Sequence, residues 1–294
     1  MISLIVATIE RVTELERLLN SLDAQTFKDF QVIVVDQNPD DRLVPIFRRH
    51  DGLRIKHLRS ERGLSRARNV ALPAVQGDIV AIPDDDCWYP DQLLATVTKW
   101  FETHPEFDAL FTGARNADNK LMAPKWAPGA CRCTKENVWH CTVSFTAFMR
   151  RQVVEAVGPF NEDIGTGSAS SYQSSEDIDY FIRILGLGFR MWYEPSLTVH
   201  HPEVQSLDRL RKRVYGYALG IGYVLRVHGY SWWYFGKILA RSLGGAVLNL
   251  CKANLPRAYL YVLRAVGQLQ GYIFGPRDFR RMPKSSIRTM TGTT

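Results

Sequence analysis

"DIVAIPDDDC", residues 78–87, decides how the rest of the chain reads. Ile79 to Ile82 make a short apolar run between an acid and a proline, the mark of a strand buried on both faces. Asp84, Asp85 and Asp86 follow at once. One carboxylate is enough to cap a helix or shape a turn, and three side by side repel. Something positive must offset them, and a divalent cation with oxygen ligands is the usual partner. In an extended turn, residues i and i+2 face the same way. Asp84 and Asp86 are therefore expected on one ion, with Asp85 pointing elsewhere.

Working outward, the first ~115 residues alternate between two periods. "SLIVAT" reads as a buried strand. Val12, Leu15, Leu18, Leu19 and Leu22 then form a helical stripe. "FQVIVVD" is a second strand ending at Asp36, followed by a short helix pattern through Phe47 and a third strand, "LRIKHL". "LSRARNVALPAV" reads as a helix, "DIVAIP" as a fourth strand, "PDQLLATVTKWFE" as a helix with Pro90 near its first turn, and "DALFTGA" as a fifth strand. Strands apolar on both faces that alternate with helices imply a mostly parallel sheet covered on each side. Ligands of such sheets sit beyond the carboxyl ends of the strands, where Asp36 and the aspartate cluster lie. Neither G-x-G-x-x-G nor G-x-x-x-x-G-K-[ST] is present, which disfavours a dinucleotide dehydrogenase or a P-loop enzyme.

The 294-residue chain is 46% hydrophobic and 23% charged, a globular profile. Its net charge of +7 is unevenly divided. Residues 205–294 hold 15 Lys and Arg against two acids, a net of +13; residues 1–204 hold 22 basic and 28 acidic residues, a net of −6. The basic third is also rich in Trp, Tyr and Leu, which points to an anionic membrane surface more than to nucleic acid. It reads as two or three helices broken near Gly229–Ser231 and Asn254–Pro256. No window reaches the ~18 uncharged apolar residues of a membrane span. Trp232, Trp233 and Tyr234 beside Lys237 and Arg241 suit an in-plane interfacial helix, and a dimerisation element is the plainer alternative. Five cysteines, an odd count with no secretory leader before the first strand, argue against a disulfide framework and for a reducing cytoplasm. Cys131, Cys133, His140 and Cys141 depart from zinc-ligand spacing, so free thiols are the better reading.

Downstream, Ile178, Phe181, Ile182 and Leu185 recur at helical spacing, with Ser174 or Ser175 as cap and Glu176 and Asp177 in the first turn. Residues 165–175, "GTGSASSYQSS", suit a loop over a site or a plain linker.

Four stretches together resemble the inverting family 2 glycosyltransferases with the GT-A fold. They are "SLIVATIERVTELERLLNSLDAQTFKDFQVIVVDQN", "RGLSRARNVALPAVQGDIVAIPDDDCWYP", "FMRRQVVEAVGPFNEDIG" and "SEDIDYFIRILGLGFRMWYEPSLTVHHP", spanning about residues 1–202. The resemblance implies a GT-A nucleotide-diphospho-sugar transferase fold with a C-terminal helical extension. Residues 1–204 would be the catalytic domain, with a nucleotide-sugar half at 1–115 and an acceptor half at 116–204; residues 205–294 would be the extension. It implies transfer of a sugar from a UDP-, dTDP- or GDP-sugar to an acceptor hydroxyl, with Mg²⁺ or Mn²⁺. Thr8 and Glu10 would border the nucleobase, Asp36 would bond the base, and Arg68 would lie near the donor phosphates. Asp84 and Asp86 match the D-x-D motif, with Asp84 on the ribose or the metal, Asp86 on the metal that bridges the diphosphate and Asp85 on the donor side; Pro83 and Cys87 stand where many members have an apolar residue and an acid. Asp177 would be the general base, with Glu176 orienting it or binding the acceptor. His200, preferred over His201, would complete the metal's coordination.

The expected role is therefore surface polysaccharide or glycolipid assembly on a lipid-linked acceptor, at the inner face of the cell membrane, with a homodimer as an option. A non-catalytic nucleotide-sugar-binding scaffold and a nucleic-acid binder are the rival readings. Neither needs the aspartate cluster and the acidic helix start together.

Overall fold

The computed structural model describes residues 1–122, 126–202 and 207–275. They divide into two compact units, one ending at Leu210 and the other beginning at Arg211. Residues 276–294 of the expected extension lie outside the described residues.

In the first unit, apolar runs become strands and amphipathic stretches become helices, in the order β1 Ile2–Thr8, α1 Val12–Asp23, β2 Phe30–Asp36, α2 Val44–Arg49, β3 Ile55–Arg59, α3 Leu64–Ala71, β4 Ile79–Ala81, α4 Leu93–Thr103 and β5 Ala109–Arg115. Then come β6 Cys131–Arg132, α5 Val138–Cys141, β7 Ala147–Arg150, α6 Arg151–Val157, α7 Glu176–Gly186 and β8 Met191–His200. The eight strands form one sheet in the order β3-β2-β1-β4-β7-β5-β8-β6. β1 to β4 are mutually parallel, as are β5 and β8, whereas β7 runs antiparallel to β4 and β5, and β6 antiparallel to β8. The mostly parallel α/β sheet expected from the sequence is thus present, with β7 as an antiparallel insert near its middle.

The register places the site. Thr8 pairs with Asp36, and Asp36 with Arg59, so the carboxyl ends of β1, β2 and β3 are level. β4 leaves the sheet at the same edge and runs into Asp84–Asp86. Beneath this edge Leu4, Val6, Leu18, Val32, Val34 and Phe148 are sealed in the core. Two boundaries differ from the sequence reading. α3 stops at Ala71 and passes into a 3₁₀ turn at Leu72–Ala74, because Pro73 cannot continue the hydrogen-bond ladder. α4 starts at Leu93, whose N–H bonds the Pro90 carbonyl, so Pro90 shapes the preceding turn and does not sit in the first turn of the helix.

Three helices follow, α8 Leu207–Val227, which the second unit enters at Arg211, α9 Trp232–Cys251 and α10 Leu255–Phe274, with breaks where the sequence placed them. The side chains of Ser231 and Asn254 cap α9 and α10 by accepting from Tyr234 N–H and Arg257 N–H. α8 and α10 touch backbone to backbone. A Cβ on Gly222 would stand 2.3 Å from the Gln268 carbonyl oxygen, and one on Gly271 would stand 2.2 Å from that of Leu219. Gly222→Ala and Gly271→Ala should each lower stability by about 1–3 kcal/mol through overpacking. Gly244→Ala, where nothing lies within 4 Å, should be neutral or slightly stabilising through helix propensity. Urea unfolding of the full chain followed by circular dichroism checks all three.

Candidate active site

Behind β4 the three aspartates meet protein cations. Asp85 Oδ1 and Asp86 Oδ2 each lie 2.6 Å from Nη1 of Arg11. Asp86 Oδ1 lies 3.1 Å and Asp84 Oδ2 3.9 Å from Nε2 of His201. Asp84 Oδ1 lies 3.6 Å from Nη2 of Arg68. Arg17 donates to the Asp86 carbonyl at 2.6 Å. Asp84 and Asp86 thus share one histidine, while Asp85 turns to Arg11 and lies beside the Thr8 hydroxyl.

Arg68 is the hub. It sits on the buried face of α3, 1% exposed, with Phe160 under its guanidinium at 5.4 Å. Its other nitrogen, Nη1, lies 3.5 Å from Glu176 Oε1. That nitrogen has no hydrogen-bond partner and no access to solvent, a costly state for a charged donor unless a ligand completes it. One buried cation therefore ties the aspartate cluster to the acidic start of α7.

Asp177 follows Glu176. Its carboxylate accepts the N–H of Ser144 at 3.2 Å and that of Ile178 at 2.8 Å, which fixes its orientation. The expected serine cap is different in detail. Ser175 takes the N-cap position in a left-handed conformation, φ 69°, without capping through its side chain. The loop 165–175 is shaped to receive Glu176: a Cβ on Gly165, φ 104°, would stand 2.9 Å from the Glu176 Oε2.

The electrostatics follow from burial against these partners. Burial lifts Asp84, opposed by Arg68 and His201. Burial pushes Asp85 up to about 6, opposed by Arg11. Burial also works against Asp86, but His201 and Arg11 outweigh it and hold that carboxyl below its ordinary value. Burial and the adjacent Asp177 push Glu176 up to about 7, against Arg68, and burial raises Asp177 as well. His201 is held up by Asp86 and Asp84 despite its burial.

The sequence reading preferred His200 to His201 as the histidine beside the aspartates, and the structure places His201 there. Successive residues of a strand face opposite ways, so only one of the pair can reach the aspartates. His200 exchanges backbone hydrogen bonds with Trp88 and stacks on its indole at 5.3 Å, whereas His201 stacks on Phe145 and meets Asp86. Asp36 is already engaged: Asn38 donates to one carboxylate oxygen, while His57 and Arg59 lie 3.0 and 3.1 Å from the other. Glu10 is exposed, at φ 60°, and its N–H is held by the Asn38 side chain. Sequence reasoning missed Arg11, Arg17 and Ser144. Arg11, three residues past the end of β1, could have been suspected from its place on the ligand-bearing edge.

Asp86, Cys87 and His201 are the one cluster of potential metal ligands among the described residues, with ligand atoms within 4.8 Å of one another. Burial and the aspartates raise the Cys87 thiol well above its ordinary value, so it stays protonated and is a poor ligand. The donors that fit a divalent cation are Asp86, Asp84 and His201, two carboxylates and an imidazole. Of these donors Arg11 engages Asp86, which it shares with Asp85.

The model of the family described as "Glycosyl transferase family 2" matches residues 3–158. Among similar proteins, glycosyltransferase AglE of Haloferax volcanii is 23% identical over 279 residues, 91% of this chain and 86% of that protein. An uncharacterized glycosyltransferase of Haemophilus influenzae is 29% identical over 116 residues, which is 39% of each chain. Among solved structures, a mannosyltransferase from Pyrobaculum calidifontis in complex with GDP-Man and Mn²⁺ superimposes with a TM-score of 0.60 at 20% identity, covering 91% of this chain and 86% of that one. TarS of S. aureus gives 0.58 at 19%, covering 92% of this chain and 54% of that one. These structural likenesses show the GT-A fold.

Glu176 supplies a pH test. Its raised value means that the fold disfavours the ionised form. The associated stability is complete below the ordinary 4.5 and is lost as pH rises through about 7. Glu176→Gln should therefore melt above the wild type at pH 8, with the difference vanishing near pH 4. An equal shift at both pH values would show that the carboxyl carries no such burden.

Proposed function

The chain belongs to glycosyltransferase family 2, and from that premise we propose that it is an inverting, metal-dependent transferase using a nucleotide-diphosphate sugar. The observation that carries this reading is the buried Arg68, set between Asp84 and Glu176 with one guanidinium nitrogen that makes no hydrogen bond. A diphosphate is the anion such a buried fork recognises best.

Asp84, Asp86 and His201 would hold Mg²⁺ or Mn²⁺, which when bound offers Lewis-acid stabilisation to the departing diphosphate. Arg11 must then release Asp86, which it now shares with Asp85, and its partly exposed side chain has room to do so. Thr8, Glu10 and Asp36 lie on the carboxyl edge of β1 and β2, on the nucleoside side. Asp36 would meet a base only by exchanging one of its present partners, Asn38, His57 or Arg59.

Asp177 is the general base. The Ser144 and Ile178 amides aim its carboxylate, and its raised proton affinity lets it take the acceptor hydroxyl's proton as the hydroxyl attacks the anomeric carbon. Glu176, held by Arg68 and close behind, orients it. Asp177→Asn keeps the shape and removes the base. It should lower turnover by ~10²–10⁴-fold while the thermal shift produced by Mn²⁺ plus the donor nucleotide persists. Asp86→Asn should abolish that shift. A fully active Asp177→Asn enzyme would remove Asp177 from the mechanism.

The helical unit fits an acceptor embedded in a lipid surface. No described helix is long and apolar enough to cross a membrane. Yet Leu255, Tyr259, Val262, Val266, Leu269 and Ile273 are exposed along one stripe of α10, and Trp232 and Trp233 are 60% and 75% exposed at the start of α9. Residues 211–275 contain no Asp or Glu at all. A second copy of this surface would set like charges together, whereas an anionic bilayer supplies both apolar depth and counter-charge. The proposed place of action is therefore the inner face of the cell membrane, on a lipid-linked acceptor in surface polysaccharide or glycolipid assembly. Full-length protein should co-sediment with vesicles containing phosphatidylglycerol and not with pure phosphatidylcholine, and Trp232→Ser with Trp233→Ser should weaken that binding. Concentration-dependent dimers without vesicle binding would favour self-association instead.

A further inference from the structure

Away from the site, β6 and α5 bring three thiols together. Cys131 Sγ lies 3.6 Å from Cys141 Sγ, and Cys133 is hydrogen-bonded to the same Cys141 sulfur. Cys131 is partly exposed, while Cys133 and Cys141 are buried. Asn137 lies beside the pair, its Nδ2 3.9 Å from Cys131 Sγ and 3.0 Å from the Arg132 carbonyl that it bonds. The elements are short, two residues of β6 and four of α5. Little besides their neighbours holds them together. The chain then runs from Cys141 to Ser144.

We propose that Cys131 and Cys141 are an oxidation-sensitive pair that forms an intramolecular disulfide when a peroxide reaches Cys131, fastening α5 to the edge strand β6. The Cys131 sulfur, the one open to solvent, is oxidised by hydrogen peroxide to the sulfenic acid, and the peroxide is reduced to water. Cys141 sulfur then attacks the Cys131 sulfur, the S–S bond forms, the S–O bond breaks, and the expelled hydroxide leaves as water with the Cys141 proton. Two thiols and one peroxide thus give one disulfide and two waters. The geometry favours this second step: the attacking sulfur already lies against its target, and the hydrogen bonds it shares with Cys133 and Cys131 hold the Cys141 thiol below its ordinary value. Burial and the neighbouring Cys141 hold the Cys131 thiol up, at about 11, so the first step is slow and needs oxidant in excess. Cys133 is buried and has no route to solvent of its own. The proposal is independent of the transferase reading.

The test uses the full chain carrying Cys251→Ser, which removes the exposed thiol in the helical unit. Protein purified under reductant is treated with millimolar hydrogen peroxide, alkylated and mapped by mass spectrometry without reduction. The expected product is a 131–141 cross-link, lost by adding dithiothreitol and by Cys131→Ser, and kept in Cys133→Ser. The oxidised protein should also melt at a higher temperature than the reduced one, because the link restricts the unfolded chain. Three results would overturn the proposal: sulfinic acid on Cys131 without a cross-link, a 133–141 link in its place, or stoichiometric zinc on the three thiols of the freshly purified chain.

Discussion

A single buried guanidinium holds the two halves of this site together. Arg68 is almost sealed from solvent, and a charge so placed is tolerable only where carboxylates surround it. Asp84 comes to it from the turn after β4 and Glu176 from the first turn of α7, segments some ninety residues apart in the chain. Without Arg68, the acids at 84, 176 and 177 would oppose one another across the cleft. With it, Asp84 and Glu176 are held on either side of one cation. The same hub explains why Gly165 has no side chain: the loop must lie against Glu176 to keep it on Arg68.

The sequence exposed the parts of this arrangement that have a period or a spacing. The apolar runs of β1 to β5 and the stripe of α1 announced a parallel sheet, and three adjacent aspartates announced a need for positive charge. It did not say what supplies that charge. An ion was the expected answer, but Arg11, Arg68 and His201 come to the aspartates from three other segments, and no local pattern marks a long-range ion pair. The choice between His200 and His201 depended on which face of β8 looks at the aspartates, and register with Trp88 settles that. β7 also escaped notice, because "AFMR" is too short to carry a period. Ser175 was legible as a helix start but not as a left-handed residue, since its conformation follows from how the loop reaches Glu176.

The helical unit was legible differently, through composition. Its breaks at Gly229–Ser231 and Asn254–Pro256 are local chemistry, and the caps on α9 and α10 are the ones those residues make. The apolar stripe of α10 is also written in the sequence, but only the structure reveals that it is left uncovered while the opposite face, through Gly267 and Gly271, packs tightly on α8. Small residues turned inward and large apolar ones turned outward are the reverse of an ordinary globular helix, and the absence of acids makes the outward face cationic as well.

The central claim is that Asp84, Asp86 and His201 gather a cation against a nucleoside diphosphate beside Arg68. The most direct measurement is a crystal structure of the full chain with Mn²⁺ and a nucleoside diphosphate, with data collected at the manganese absorption edge. An anomalous peak among those three side chains, with phosphate oxygens facing Arg68 Nη1 and Arg11 withdrawn from the aspartates, is the predicted result. A bound nucleotide with no manganese at this cluster and Arg11 still bridging Asp85 and Asp86 would contradict it.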